Sequence, residues 1–299
     1  EACTDMLKQN NPVSDYNQFV FGSMPITTTS NMFDTWGGSH SSQLSLTRFL
    51  ENLEKIEIIQ RKTQDMCNDY LQLKVGEIRI ASNSERTSAV LPPVIASFNR
   101  KYPNIRLNLE FNLHLDEVCE LLIQGKADIG ITFESLLSRE CNAYTLLSEN
   151  YLLALPRTEE TLLIGSLYSV DGRYRKLQKQ DARIVRKFPM INTYRHEERQ
   201  QRLSKFLGTD LKTSNISALT VQNRLSFVAQ GIGCAICQEK LVAIETAKEK
   251  CVFLSLDDLF KPQNLVIAWP QISYTNTAAR LFCKEALSYY RPNCGYSDV

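Results

Sequence analysis

Gly76-Glu77-Ile78-Arg79-Ile80-Ala81 alternates polar and apolar side chains as a strand does, and the order of the elements after it decides the fold. Ser82-Asn83-Ser84 is a polar loop rich in helix-capping residues. Val90, Leu91, Val94, Ile95 and Phe98 then carry a helical stripe, with Pro92 and Pro93 near its start. Asn104-Ile105-Arg106-Leu107-Asn108-Leu109-Glu110-Phe111 alternates strictly and reads as a second strand. Asp116 to Gln124 is a short helix closed by Gly125. Asp128-Ile129-Gly130-Ile131-Thr132 is a buried third strand. Strand, helix, strand, helix, strand predicts right-handed crossovers and a parallel sheet.

Upstream lies a different texture. Leu46, Leu50, Leu53, Ile56, Ile59, Met66, Tyr70 and Leu73 step mostly by three or four, with no Gly or Pro across 46–75. This predicts a helix of about 25 residues or more, about 40 Å long. Glu51 stands four before Lys55, the favoured orientation for a helical ion pair. Two readings of the stripe are open: packing on the chain's own core, or a linker that dimerises through a narrow, nearly heptad seam. Residues 1–45 carry only Glu1, Asp5, Lys8, Asp15 and Asp34 as charges, a net of −3 without any Arg. With Gly37-Gly38-Ser39 as a break, they read as irregular.

Downstream, Tyr151 to Leu155 is an apolar strand ending at Pro156, and 157–182 is polar and loop-like. Phe188–Thr193, Ser214–Leu219, Gly233–Cys237, Val252–Leu256 and Leu265–Trp269 read as strands. Glu197–Leu207, Val221–Gln230, a segment through Ala247, and Thr277–Tyr290 read as helices. Two α/β units therefore come after the long helix, joined near 153–160 and again near 262–268.

The chain of 299 residues is 43% hydrophobic with a net charge of +1. That accommodates about two domains and excludes wholesale disorder. No apolar run reaches the roughly 18 residues of a membrane span. The start, Glu1-Ala2-Cys3, shows no secretory pattern. Nine cysteines, an odd number at irregular spacing, point to a reducing cytoplasm rather than a disulfide framework.

Cys234-x-x-Cys237 is the most chemical motif, read either as structural or as a redox pair. A redox pair wants a helix N-terminus, whereas this one sits in an apolar run, and no second pair is spaced for zinc. Gly231-x-Gly233 comes after a helix and lacks a third Gly, so it is no dinucleotide fingerprint. His40, His114 and His196 form no triad, and His196 reads as part of a solvated helix face. Glu197 and Glu198 point about 100° apart on a helix of 3.6 residues per turn, so they share no proton. No catalytic set, metal site or cofactor is expected. Ser82-Asn83-Ser84, Thr132-Phe133-Glu134 and Asn192-Thr193-Tyr194-Arg195 all fall at carboxyl ends of strands, where open α/β sheets bind ligands. They read either as a ligand cleft split between two units or as ordinary caps and turns. Arg86 and Arg195 suit a carboxylate or sulfate, or are solvated charges.

With these elements in place, the sequence resembles the effector domain of LysR-type transcriptional regulators. The resemblance is carried by Gly76–Ala81, Leu91-Pro92-Pro93-Val94-Ile95-Ala96-Ser97-Phe98, Tyr102-Pro103-Asn104-Ile105-x-Leu107 and Leu122-x-x-Gly125-x-Ala127-Asp128-Ile129-Gly130-Ile131. Val228-Ala229-Gln230-Gly231-Ile232-Gly233-Cys234-Ala235-Ile236 supports it, with Gln238 where the family usually has Pro. The resemblance covers roughly 76–290. It implies an α/β fold of two periplasmic-binding-protein-like (Rossmann-like) subdomains after a long linker helix. It also implies a small-molecule effector, anionic by the rim argument, contacted by Ser82, Ser84, Arg86, Thr132, Phe133, Thr193 and Tyr194. It explains the long helix as a dimerising linker, in a dimer or tetramer. The family's winged helix-turn-helix is not recognisable in 1–45, which stands as a degraded or replaced head, so DNA as a partner rests on resemblance alone. The expected plan is 1–45 head, 46–75 linker and 76–299 effector domain, with subdomain I at about 76–155 and 266–292 and subdomain II at about 156–265. The expected function is a cytoplasmic, non-enzymatic regulator of transcription that senses an effector between two subdomains. The alternatives are a stand-alone binding module without DNA contact, and a thiol enzyme using Cys234 and Cys237.

Overall fold

The computed structural model describes residues 40–70, 76–110, 117–192, 197–271 and 276–292. The first described element is α1 (His40–Tyr70), the long helix expected from the apolar stepping, although it begins at His40, within the stretch read as irregular, rather than at Leu46; the expected end at 71–75 lies outside the described residues. Two compact units divide the chain, Glu1–Ile59 and Gln60–Val299. In the first, Phe49, Leu50, Ile56 and Ile59 of α1 are exposed.

The second unit holds the end of α1 and then β1 (Gly76–Ala81), α2 (Ser84–Lys101), β2 (Ile105–Glu110), α3 (Val118–Ile123) and β3 (Ile129–Phe133). β1 pairs in parallel with both β2 and β3, as the alternation of elements predicts. Asn83 caps α2, its side chain accepting from Arg86 N at 2.8 Å. Pro92 and Pro93 fall in the middle of that helix rather than near its start. An interior proline costs about 3 kcal/mol. Here burial of Val90, Leu91, Val94 and Phe98 offsets it. Phe98 meets Phe282 edge-on at 5.1 Å between ring centroids.

β4 (Cys141–Glu149) and β10 (Gln263–Pro270) complete the first sheet, whose order is β2-β1-β3-β10-β4. β10 runs antiparallel to both its neighbours. β4 is not legible in the sequence, because its burial shows no clean alternation. The second sheet has the order β8-β5-β9, from β8 (Ala235–Gln238), β5 (Tyr151–Pro156) and β9 (Cys251–Ser255). β6 (Met190–Asn192) and β7 (Thr213–Ser217) pair in parallel, and Met190 bridges to Cys234 beside β8. Around these strands lie α4 (Glu159–Leu162), α5 (Ala182–Val185), α6 (Glu197–Leu207), α7 (Val221–Ala229) and α8 (Glu239–Ile244). The last described helix, α9 (Thr277–Tyr290), returns to the first sheet's core through Ala279, Phe282, Cys283 and Ala286.

The chain crosses between the sheets at Asn150 and again between Ser255 and Gln263. Both crossings lie earlier than the sequence suggests. Pro156 reads as a boundary, yet every residue of Tyr151–Pro156 is buried and the strand pairs with β8 and β9. Proline is tolerated there because β8 pairs only as far as Ala154, so Pro156 is paired on one side alone, as at a sheet edge.

Within the second unit, the C-terminal end of α1 makes polar contacts with the elements around it. Arg61 Nη1 donates to both Asp128 oxygens at 3.1 and 3.2 Å, and Arg61 Nη2 donates to Gly125 O. Asn276 Nδ2 donates to Asp65 at 3.3 Å, and Thr277 N donates to Asp69 at 2.8 Å.

Candidate functional site

The two strand ends β1 and β3 lie side by side because the strands pair in parallel. Their rim residues are closely packed. Ser82, Thr132 and Phe133 are buried, and Ser84 is exposed at the first turn of α2. Thr193 and Tyr194 lie outside the described residues, as do Arg195 and His196.

Arg86 is the buried centre of this rim, 1% exposed. The reason is local: Arg86 stands one turn before Val90 on the buried face of α2, so it faces inward onto the last residue of β4, Glu149. Arg86 Nη1 donates to Glu149 Oε2 at 2.8 Å, and Nη2 lies 2.6 Å from Oε1. The guanidinium also sits 4.8 Å from the centroid of the Phe133 ring. A charge pair this deep is held only when both partners are present. Arg86 thus ties α2, β3 and β4 together at the crossing where the chain leaves the first sheet.

The second subdomain answers with its own arginine. Tyr151 opens β5 two residues after Glu149, and Arg199 of α6 lies 4.6 Å above its ring. Arg199 Nη2 donates to Tyr151 Oη at 2.9 Å. Burial raises the Tyr151 phenol and lowers the Arg199 guanidinium, with neighbouring Arg224 adding to the latter. The seam is also bridged directly. Val221 N, at the start of α7, donates to Glu85 Oε1 on α2. The first N–H groups of a helix have no partner within it, so a carboxylate from the other subdomain fits there. Arg224 Nη1 donates to Ala218 O and Leu219 O, holding the loop ahead of α7.

Sequence reasoning names Ser82, Ser84, Arg86, Thr132 and Phe133, and the structure brings them together at one rim. It misses Glu85, Glu149, Tyr151 and Arg199. Glu85 and Arg199 stand in charged, helix-forming contexts that look solvated, and Glu149 ends a strand the sequence hides. An open hollow of about 720 Å³ beside α6, lined by Gln200, Ser204, Lys205 and Thr209 among others, shares no residue with this rim. Its buried amide, Gln200, is already satisfied by Leu211 O and Thr213.

The thiol pair behaves as structure. Cys234 and Cys237 are both fully buried on and beside β8. Burial pushes the Cys234 thiol up to about 12 and also raises Cys237. The thiolate is the reactive form, so this environment suppresses it. Among the described residues no cluster of His, Cys, Asp and Glu is arranged to hold a metal, and no helix is long and apolar enough to cross a membrane.

Comparison with known proteins places this geometry. The family model described as "LysR substrate binding domain" matches residues 72–291. Among solved structures, full-length CbnR in complex with its target DNA is similar at a TM-score of 0.59 and 16% identity, covering 82% of this chain and 81% of that one. A putative LysR family regulator from Pseudomonas aeruginosa is similar at 0.54 and 18%, over 93% and 94% of the two chains. The regulatory domain of Synechocystis CcmR, solved in complex with 2-PG, is similar at 0.56 and 14%, over 73% and 99%. At these identities the solved structures speak for the fold, and the family model for the kinship. With two subdomains joined by two crossings and a match over most of its length, the chain belongs to the LysR substrate-binding-domain family.

Proposed function

We propose that this protein is a LysR-type transcriptional regulator of the cytoplasm that senses a small anionic molecule at the seam between its two subdomains. It acts by binding, not by catalysis. The observation that carries the reading is the seam itself. Two subdomains joined, among the described residues, through Asn150 and the segment between Ser255 and Gln263 meet at the Glu85–Val221 contact and where α2 packs on α8. Arg199 brings positive charge to that seam, Arg86, already paired with Glu149, holds the shape of the rim, and Ser82, Ser84, Thr132, Phe133, Thr193 and Tyr194 are its proposed lining. An effector shifts the protein between two seam arrangements in proportion to its preference for one of them. The division of labour is a head in 1–45, a linker in 46–75 and an effector domain in 76–299. The exposed apolar residues of α1 supply the seam of a homodimer or a tetramer built from it. That CbnR was solved with target DNA, and CcmR with 2-PG, supports both halves of the reading by analogy.

The DNA half is tested by binding of the full chain to a random-sequence duplex across a salt series, beside a chain lacking residues 1–45. Binding that weakens steeply with salt, and disappears on deletion, supports a reading head. Absence of binding at low salt from both chains reduces the protein to an effector-binding module.

A further inference from the structure

Arg61, Asp65 and Asp69 stand at i, i+4 and i+8 of α1, so they share one face of the helix. Each makes a polar contact with the body of the first subdomain, and the three contacts reach two different elements. Arg61 engages Asp128 and Gly125 at the foot of β3. Asp65 and Asp69 engage Asn276 and Thr277 at the start of α9. Asn276 is itself the cap of α9, its Oδ1 accepting from Ala279 N at 2.7 Å.

Asp128 is the junction of this arrangement. Besides holding Arg61, its carboxylate accepts from Arg79 N of β1 at 2.8 Å. One carboxylate thus touches the helix, β1 and the foot of β3. Both strands end at the rim: β1 runs from Arg79 towards Ser82, and β3 from Ile129 to Thr132 and Phe133. At about 3.3 Å per strand residue, the rim is only about 13 Å from Asp128. Strands packed in a dense core transmit displacement rather than absorb it, so a shift at the rim arrives at their feet.

The joint is poised rather than welded. Arg61 and Asp128 are largely buried, with side chains 15% and 11% exposed. Burial pushes Asp128 up against the pull of Arg61, and raises Asp65 as well. Arg61 Nε is buried without a partner among the described residues. A buried pair carries a desolvation cost that only good geometry offsets, so a small shift of β1 against β3 is enough to loosen it.

We propose that Arg61 and Asp128 are positioning residues that pass movement of the effector rim to the end of the long helix. The proposal rests on the effector-sensing reading and adds the residues that connect the sensor to the helix.

The test is hydrogen exchange by mass spectrometry on the full chain, read at residues 60–70. Arg61→Ala raises exchange there about tenfold while the β1–β3 core stays within about twofold, and Arg61→Lys restores part of the protection. The decisive arm perturbs the rim instead. Phe133→Leu removes the ring beneath Arg86, and the proposal predicts that it changes exchange at 60–70 in the otherwise native chain by about threefold. In the Arg61→Ala background the same substitution has no further effect there. Should Phe133→Leu leave 60–70 unchanged, or change it equally with and without Arg61, the coupling is overturned and the contact is a strut. Should Arg61→Ala loosen the whole domain, the comparison moves to Arg61→Lys, with the same two outcomes. Failure of the regulator reading shows separately, as loss of effector and DNA binding with this coupling intact.

Discussion

Arg86 and Glu149 illustrate how much one residue's surroundings decide. Arg86 faces no solvent: it is engaged by Glu149 and stacked on Phe133. Glu149→Gln leaves a buried guanidinium without its charge partner, at a cost of about 3–5 kcal/mol, which a urea titration reads as a lower midpoint. The buried thiols make a second prediction at this scale. Cys141, Cys234, Cys251 and Cys283 are each pushed by burial to about 12. In the unfolded chain a thiol ionises near its ordinary value of about 8.5. The folded state then binds more protons than the unfolded one above that value, so stability falls as pH rises through it. The thiol contribution is fully present below about pH 8 and lost progressively from about pH 9 upward. Urea midpoints at about pH 7, 9 and 10.5 fall in that order, and a midpoint that holds steady to about pH 10.5 contradicts the burial argument.

At the scale of elements, Gly130 of β3 lets α3 close onto the sheet. A Cβ there would run into Val118 Cγ1 and press on Leu122 at 3.0 Å. Gly130→Ala therefore destabilises by about 1–3 kcal/mol, measured as a drop in melting temperature, because α3 must move away. Alternation in Gly76–Ala81 and Ile105–Glu110, and the glycine after α3, make this half of the sheet legible in the sequence. β4 escapes because an edge strand between a polar loop and the crossing shows no period of two in Cys141–Glu149. The crossing is hard to place for a related reason. A strand buried on both faces, such as Tyr151–Pro156, carries no signal of which sheet it joins. The rim is legible because strand ends and caps are local in sequence. Glu149, Tyr151 and Arg199 are not, since their meeting depends on β4 and α6 arriving from distant segments.

For the whole molecule, the arrangement of two subdomains on two crossings makes relative motion the natural variable. Glu85 at Val221 N is one contact that motion must break, beside the packing of α2 on α8. Glu85→Ala loosens the seam, and exchange at residues 218–224 rises while the β1–β3 core is unchanged. The exposed apolar residues of α1 predict association. Replacing Ile56 and Ile59 by Lys lowers the mass seen by light scattering, and an unchanged mass assigns the stripe another role. The measurement that tests the central claim most directly is a thermal-shift screen of small carboxylates and phosphate esters on the full chain, with each hit repeated on Thr132→Val and Glu85→Ala. The account predicts at least one saturable hit whose stabilisation is lost with Thr132→Val and altered with Glu85→Ala, which places the ligand at the seam. Hits that stabilise both variants as they do the native chain would put the ligand elsewhere and contradict the claim.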